Sequence, residues 1–326
     1  MEKRVVLVDG NAIVHAAWHG YPERLGNDGL SYRALHGFLS KMHRLDRDYQ
    51  WDELLVIFDP IEGSIYRKAL FSGYKAHRPE TDPDLRRQLL LVEQALSQLG
   101  FSTLKAAGVE SDDVIGTLAK LHAGKGSLVM ILTPDKDMAQ LVDERVGLLR
   151  PLRGEAGIET AYNYMNEAGV FSTFGVNPVQ IADWLALIGD TSDNIPGVRG
   201  VGPKKAAKLL ETYGDARTTL TNAEKISGAV GLALLESRSV METVIKLTTI
   251  QVDLDHTEWS VHHASWSEDA LNRWGLLAGF PSWMGHFNFL GTDVASRSEV
   301  TSLPEADVTN AEPLTVLPQD HPFEGE

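Results

Sequence analysis

The 326-residue chain contains no cysteine, which excludes disulfides and thiolate metal sites and permits a reducing compartment. No apolar run approaches the roughly 20 residues of a membrane span. The start, Met-Glu-Lys-Arg followed directly by a short apolar strand, lacks a secretory signal profile. The expected location is the cytoplasm, away from membranes. Positive charge is also scarce: 30 Lys and Arg stand against 45 Asp and Glu, a net charge of -15. Taken in bulk, that balance argues against nucleic acid as a partner. The distribution of the charge weakens that exclusion. Residues 292–326 hold eight acids and one base, Arg297, so that -7 sits there and -8 on the remainder. This last stretch is rich in Thr, Ser, Pro and acids without periodicity and reads as a disordered tail.

What is present is a repeated strand signal. Val5-Val6-Leu7-Val8 ends at Asp9-Gly10, Leu54-Leu55-Val56-Ile57-Phe58 at Asp59-Pro60, and Leu128-Val129-Met130-Ile131-Leu132 at Thr133-Pro134-Asp135. Short, β-branched apolar runs of this kind read as buried parallel strands. Helical periodicity over Tyr32 to Leu45, Leu85 to Leu99 and Asp112 to Leu121 separates them. The alternation predicts an α/β fold with a mostly parallel sheet, whose ligands bind beyond the carboxyl ends of the strands. From about Val176 the strand signal stops and the chain reads as mainly helical, with a glycine-rich interruption from Gly197 to Gly202.

Acids gather where such a sheet would put a site. All three strands end in aspartate: Asp9, Asp59 and Asp135. Val109-Glu110-Ser111-Asp112-Asp113 opens a helix, with Glu110 and Asp113 three apart on one face and Asp112 turned elsewhere. Asp137 follows Asp135 by two, and Asp190 and Asp193 repeat the three-residue spacing. Each group has a plain structural reading: acids at a helix start cap it and favour its dipole, and Asp-Gly or Asp-Pro marks a turn. Capping does not explain why all converge on one sheet edge. Hard cations such as Mg²⁺ take oxygen ligands, often one or two carboxylates with retained waters. Nine acids suit two adjacent ions about 4 Å apart, which would activate a water and stabilise the leaving oxygen of a phosphoryl displacement.

In order along the chain, Val8-Asp9-Gly10, Phe58-Asp59, Gly73-Tyr74-Lys75-Ala76-His77-Arg78, Glu110-Ser111-Asp112-Asp113-Val114, Thr133-Pro134-Asp135-Lys136-Asp137 and Gly189-Asp190 through Pro203-Lys204 resemble the 5′ nucleases. This group includes the 5′-exonuclease domain of bacterial DNA polymerase I and bacteriophage flap endonucleases. The resemblance runs from about Val5 to Phe287 and fills all nine acidic positions. It implies a PIN-like α/β catalytic domain over 1–175, with a helical arch at about 62–95, and a helix–two-turn–helix DNA-binding module over 176–291. The 292–326 tail follows. It further implies Mg²⁺ or Mn²⁺, with Asp9, Asp59, Glu110 and Asp112 serving chiefly a first ion. Asp113, Asp135, Asp137, Asp190 and Asp193 would be shared or hold a second. K⁺ in the glycine hairpin is implied in the same way. One position departs: the family commonly places an arginine seven residues after the first aspartate, and here it is Ala16. His15, His19 and Arg33 are the nearby cations that would compensate, and slower turnover is expected otherwise.

On this reading Lys75 and Arg78 offset charge at the scissile phosphate, Tyr74 stacks on an unpaired base, and Arg33 adds a DNA contact. Gly200 and Gly202 let backbone approach a phosphate at a helix N-terminus, with Lys204, Lys205 and Lys208 adding charge. The expected activity is 5′→3′ exonuclease and 5′-flap endonuclease on DNA, in replication or repair. Expected partners are DNA with 5′ flaps or 5′ ends, RNA primers, and a replication protein on the tail. About forty residues after Phe287 leave no room for a polymerase, so a stand-alone, monomeric nuclease is expected. A PIN-type ribonuclease and a DNA-structure-binding protein with weak catalysis are the competing readings.

Overall fold

A computed structural model describes residues 2–153, 159–263 and 267–278. The expected tail at 292–326 and the end of the 176–291 unit lie outside the described residues. The strands are β1 (Arg4–Asp9), β2 (Glu53–Phe58), β3 (Ser102–Lys105), β4 (Leu128–Leu132), β5 (Val146–Arg153) and β6 (Glu159–Met165). The first helices are α1 (Gly10–Gly20), α2 (Arg33–Asp48), α3 (Ile65–Leu70), α4 (Pro83–Gln98), α5 (Ser111–Gly124) and α6 (Glu167–Phe174). Then come α7 (Ile181–Ile188), α8 (Pro203–Tyr213), α9 (Ala216–Thr221), α10 (Gly228–Thr248) and α11 (Glu268–Ala278).

The three apolar runs are β1, β2 and β4, the middle of a six-stranded sheet in the order β3-β2-β1-β4-β5-β6. The first five strands run parallel and β6 antiparallel to β5. The outer strands carry no comparable sequence signal: β3 has four residues, Gly147 and Pro151 interrupt β5, and β6 is largely polar. They are strands because a neighbour supplies their hydrogen bonds, which local propensity does not report.

Side chains of β1 alternate between two cores. Val5 and Leu7 join Ile57, Ile131 and Val114 on one side; Val6 and Val8 join Val56, Leu35, Phe38 and Leu96 on the other. Each such residue, fully buried, contributes about 1.5–3 kcal/mol. The first core continues without a break into Trp184, Leu185, Leu210 and Val244 of the helical part. With both faces covered, the carboxyl-terminal edge of the sheet is held rigidly.

The expected arch region, 62–95, holds α3 and most of α4. α4 is a core helix, capped by Asp82 with Pro83 in its first turn, and buries Leu85, Val92 and Leu96. α3 and the connection after it reach the strand ends, and Glu93 of α4 pairs with Lys105, the last residue of β3, at 2.8 Å. Opposite them, Gly189 has φ +78° and ψ 171°, a conformation essentially restricted to glycine. A Cβ on Gly197 would lie 2.3 Å from the Ile188 carbonyl oxygen. These two glycines let the end of α7 fold back on itself, and Asp190 and Ile195 pair across the resulting turn.

Candidate active site

Asp9, at the end of β1, caps α1 by accepting from the Ala12 amide at 3.1 Å and also accepts from the Thr133 hydroxyl at 2.9 Å. Asp59 is set by its amide donating to Asn11 at 3.0 Å, and its Oδ1 accepts from both the amide and hydroxyl of Ser111 at 2.8 Å. Thus Asp59 is joined to the start of α5, which carries Asp112. After β4, the Asp135 amide donates to the Thr133 hydroxyl at 3.0 Å, while its Oδ1 accepts from the Asp137 amide at 2.9 Å.

These acids crowd one another. Burial, then the charges of Asp59 and Asp135, push the Asp9 carboxyl up to about 7. Asp112 is raised well above the carboxylate range by burial, Asp135, Asp9 and Asp59, and Asp137 by burial and Asp135, with Asp190 and Asp193 adding to it. Asp137 Oδ1 is shut off from solvent and accepts no hydrogen bond. Among the described residues no three His, Asp or Glu side chains close on one point as a finished metal cage. The cluster is a field of uncompensated negative charge and not a preformed chelate.

Asp190 and Asp193 bound the other wall. Burial works against the Asp190 charge, but the Ser192 hydroxyl and Lys136 outweigh it and hold the carboxyl below its ordinary value. Lys136 Nζ lies 2.9 Å from Asp190 Oδ2. Asp193 accepts from Arg78 Nη2 and from the Tyr74 hydroxyl, the latter at 3.1 Å. Lys75 and Asn194 both adopt left-handed backbone, at φ 55° and 58°, uncommon for residues other than glycine. They meet: the Lys75 amide donates to the Asp193 carbonyl and Asn194 Nδ2 to the Gly73 carbonyl. The connection after α3 is thereby fastened over a cavity of about 310 Å³, lined by Asp112, Asp135, Asp137, Asp190 and Asp193 with four basic side chains.

Four of the nine acids do not line the cavity: Asp9 and Asp59 act on Asp112 by charge, and Asp113 and Glu110 turn to other partners. Asp113 accepts both Arg67 guanidinium nitrogens, at 2.6 and 2.8 Å, and the Gln251 amide at 2.9 Å. Glu110 accepts from Arg67 at 2.9 Å, Lys75 at 2.6 Å and the Tyr74 hydroxyl at 3.1 Å. Arg67, only 4% exposed, also donates to the Leu247 and Thr249 carbonyls. The expectation that Glu110 and Asp113 face a metal is corrected accordingly: in this arrangement they neutralise a buried arginine that joins α3, α5 and the end of α10. No sequence signal marks Arg67, because its neighbours Tyr66 and Lys68 are exposed and the segment reads as a solvated loop.

Tyr74 is a second correction. It is 4% exposed, with its hydroxyl on Glu110 and Asp193, and offers no open face for a base to stack on. Arg33 lies over the Trp18 ring at 4.0 Å and within 4.0 Å of Glu23, and is not among the residues lining the cavity. His15 is nearer: the charges of Arg78 and Asp59 both act on it, though burial is the main cause that lowers its pKa. Gly200, at φ +77°, precedes α8 with open space where a Cβ would stand, and Gly202 caps that helix. Lys204, Lys205 and Lys208 are exposed there. Lys205 Nζ folds back to the Gly200 carbonyl at 2.8 Å, and Lys208 pairs with Glu211.

Fold and site together define an acid-centred α/β enzyme. The chain belongs to the 5′-3′ exonuclease family and is a hydrolytic nuclease: residues 4–175 match its N-terminal resolvase-like domain and residues 176–270 its C-terminal SAM fold. It is 34% identical over 253 residues to a 5′-3′ exonuclease of Aquifex aeolicus, covering 78% of this chain and 83% of that one. It is 39% identical over 259 residues to DNA polymerase I of Pseudomonas aeruginosa, 77% of this chain but only 27% of the polymerase. Among solved structures, T5 5′-exonuclease with bound zinc superimposes with a TM-score of 0.61 at 20% identity, covering 76% and 89% of the two chains. The catalytic core of Rad2 in complex with a DNA substrate superimposes at 0.54 and 14%, covering 86% and 89%. At such identities these two establish the fold alone. Among the described residues no helix is long and apolar enough to cross a membrane.

Proposed function

We propose that this chain is a divalent-metal-dependent 5′→3′ exonuclease and 5′-flap endonuclease, cutting DNA near junctions of single and double strand in the cytoplasm. The observation that carries the reading is the charge imbalance at the sheet edge. Asp9 is buried and Asp112 and Asp137 are half-buried, all three carboxyls are raised by the charge of Asp135, and one Asp137 oxygen lacks any partner. A hard cation is what such oxygens lack. Asp9, Asp59, Asp112, Asp135 and Asp137 would hold the ions, with Asp190 and Asp193 assisting from the opposite wall. Ions held by these residues would supply an activated water and charge stabilisation at a leaving oxygen.

The chain's own residues do the rest. Lys75 and Arg78 stand at the cavity mouth and exchange Glu110 and Asp193 for a phosphate as the strand arrives. The N-terminus of α8, with Lys204 and Lys208, holds the duplex by its backbone and not its bases, so binding is structure-selective and salt-dependent. A monovalent ion at the hairpin would compete with Lys205 for the Gly200 carbonyl. The decisive test is a 5′-labelled flap duplex incubated with Mg²⁺, Mn²⁺ or chelator. Cleavage near the junction with either ion and none in chelator is expected. No product from folded protein with both ions would sink the proposal, and faster cleavage of RNA than of flapped DNA would favour a ribonuclease.

The crowded acids give a second expectation. A carboxyl whose folded pKa is raised keeps its proton longer in the fold than in the unfolded chain. Its stabilising contribution is complete below the unfolded value near 3.8 and is lost as pH rises through the folded value, about 7 for Asp9. In chelator the contribution of Asp9 to the thermal midpoint therefore falls between about pH 4 and pH 7. With Mg²⁺ the fall shrinks, because the cation takes over the proton's role. Identical pH profiles with and without Mg²⁺ would count against a cation site.

A further inference from the structure

Four basic side chains line the acidic cavity: Lys75, Arg78, Lys136 and Arg150. Three are neutralised in place, by Glu110, Asp193 and Asp190 respectively. Arg150 is not. Its Nη2 donates to the Pro134 carbonyl at 2.8 Å, while its Nη1 is closed to solvent and has no hydrogen-bond partner. Burial works against its charge, and Asp135 is the group that supports it. A buried guanidinium donor left unpaired is costly, so its retention calls for an acceptor that arrives from outside.

Its placement says which acceptor. β4 and β5 run parallel with Leu132 opposite Leu149, and the Thr133 amide donates to the Leu149 carbonyl. Arg150 is the next residue along β5, level with the Thr133-Pro134-Asp135 turn. The same sheet edge that takes an aspartate from β1, β2 and β4 therefore takes an arginine from β5. On the far side, Arg150 is registered against Asn163 of β6, so the backbone that carries it is fixed between two strands. Three of the four cations lining the cavity are already paired with carboxylates, so Arg150 is the lining cation with a donor left for an incoming phosphate oxygen. Guanidinium offers phosphate two parallel donors in a rigid plane, a geometry that ammonium lacks.

We propose that Arg150 is a phosphate-binding residue of the active site, its guanidinium donating to a non-bridging oxygen of the DNA strand beside the Asp135 turn. The proposal rests on the DNA-nuclease reading above. It differs from a purely structural role, in which Arg150 only braces the turn through the Pro134 carbonyl.

The experiment compares full-length wild type, Arg150→Met and Arg150→Lys on a labelled 5′-flap duplex. Binding is measured in chelator across a salt series, and single-turnover cleavage is measured in Mg²⁺. For Arg150→Met the slope of log affinity against log salt becomes shallower by about 1, as expected for one lost phosphate contact, and cleavage slows about 10- to 100-fold. Arg150→Lys keeps the wild-type slope but not the wild-type rate. A slower Arg150→Met enzyme with an unchanged salt slope overturns the phosphate contact in favour of bracing; wild-type rate and slope overturn it outright. Should Arg150→Met fail to fold, Arg150→Gln takes its place and is read in the same way: slowed cleavage with a slope shallower by about 1 supports the contact, and an unchanged slope overturns it. If wild-type protein neither binds nor cuts the duplex, the nuclease reading falls and takes this assignment with it.

Discussion

Asp135→Asn should abolish most cleavage while making the metal-free protein more stable. Asp135 is the charge common to the crowded group, raising Asp9, Asp112 and Asp137 alike. Asparagine keeps the shape and the Oδ1 that accepts from the Asp137 amide, so the turn after β4 survives. What it removes is one negative charge from the place where a cation is needed. Losing one preorganised electrostatic element of a site typically costs on the order of 10²–10³-fold in rate. Single-turnover cleavage of a flap duplex in Mg²⁺ should fall by at least that factor, with binding of the duplex in chelator unimpaired. In the same chelator at about pH 8 the variant's thermal midpoint should exceed that of wild type, since repulsion among the remaining acids is relieved. Such opposition of stability and activity is a usual mark of a functional site. A variant that cleaves within about tenfold of wild type would remove Asp135 from the machinery.

The largest effect on stability is expected at Arg67. Its guanidinium sits between two buried carboxylates and two backbone carbonyls, and both acids are 6% exposed or less at the side chain. Removing one partner of a buried ion pair costs about 3–5 kcal/mol, because a buried charge is left uncompensated. Arg67→Met should lower the unfolding free energy, measured in urea, by that amount. Adding Asp113→Asn should restore part of it, because one stranded charge is then removed. Arg67→Lys should recover less than half, because ammonium does not reproduce the two parallel bonds to Asp113. Hydrogen exchange should quicken at Thr249 to Gln251, whose contacts with the first half of the chain pass through Arg67 and Asp113. A loss under about 1 kcal/mol for Arg67→Met would show that the cluster relaxes around the gap. The joint ties α3 and α5 to the chain that leaves α10.

Much of the site could be read from residue order. Apolar runs ending in Asp9, Asp59 and Asp135 mark parallel strands, and parallel strands bring their carboxyl ends to one edge whatever lies between them. Ser111 sits next to Asp112 at the start of α5, so hydrogen bonds from Ser111 to Asp59 bring Asp112 to that edge as well. Gly189 and the 197–202 glycines mark a fold-back before α8, because left-handed or crowded backbone admits little else. Those features are local or topological, and a single sequence carries them.

Other assignments depend on partners far along the chain. Glu110 and Asp113 share a helix start with Asp112 and look equivalent to it. They differ because Arg67, 43 residues before Glu110, is buried beneath two of the three. Tyr74 has the composition of an exposed stacking residue and is instead a buried donor. Arg150 lies in a strand broken by Gly147 and Pro151 that only its pairing with β4 reveals. The sequence by itself determined the chemistry at the sheet edge, because strand direction and residue type suffice to gather acids there. Tertiary structure alone decided which acids of the site stay unpaired and which cavity-lining cation has no carboxylate partner, because a buried charge is answered by whichever group packing brings within hydrogen-bond reach.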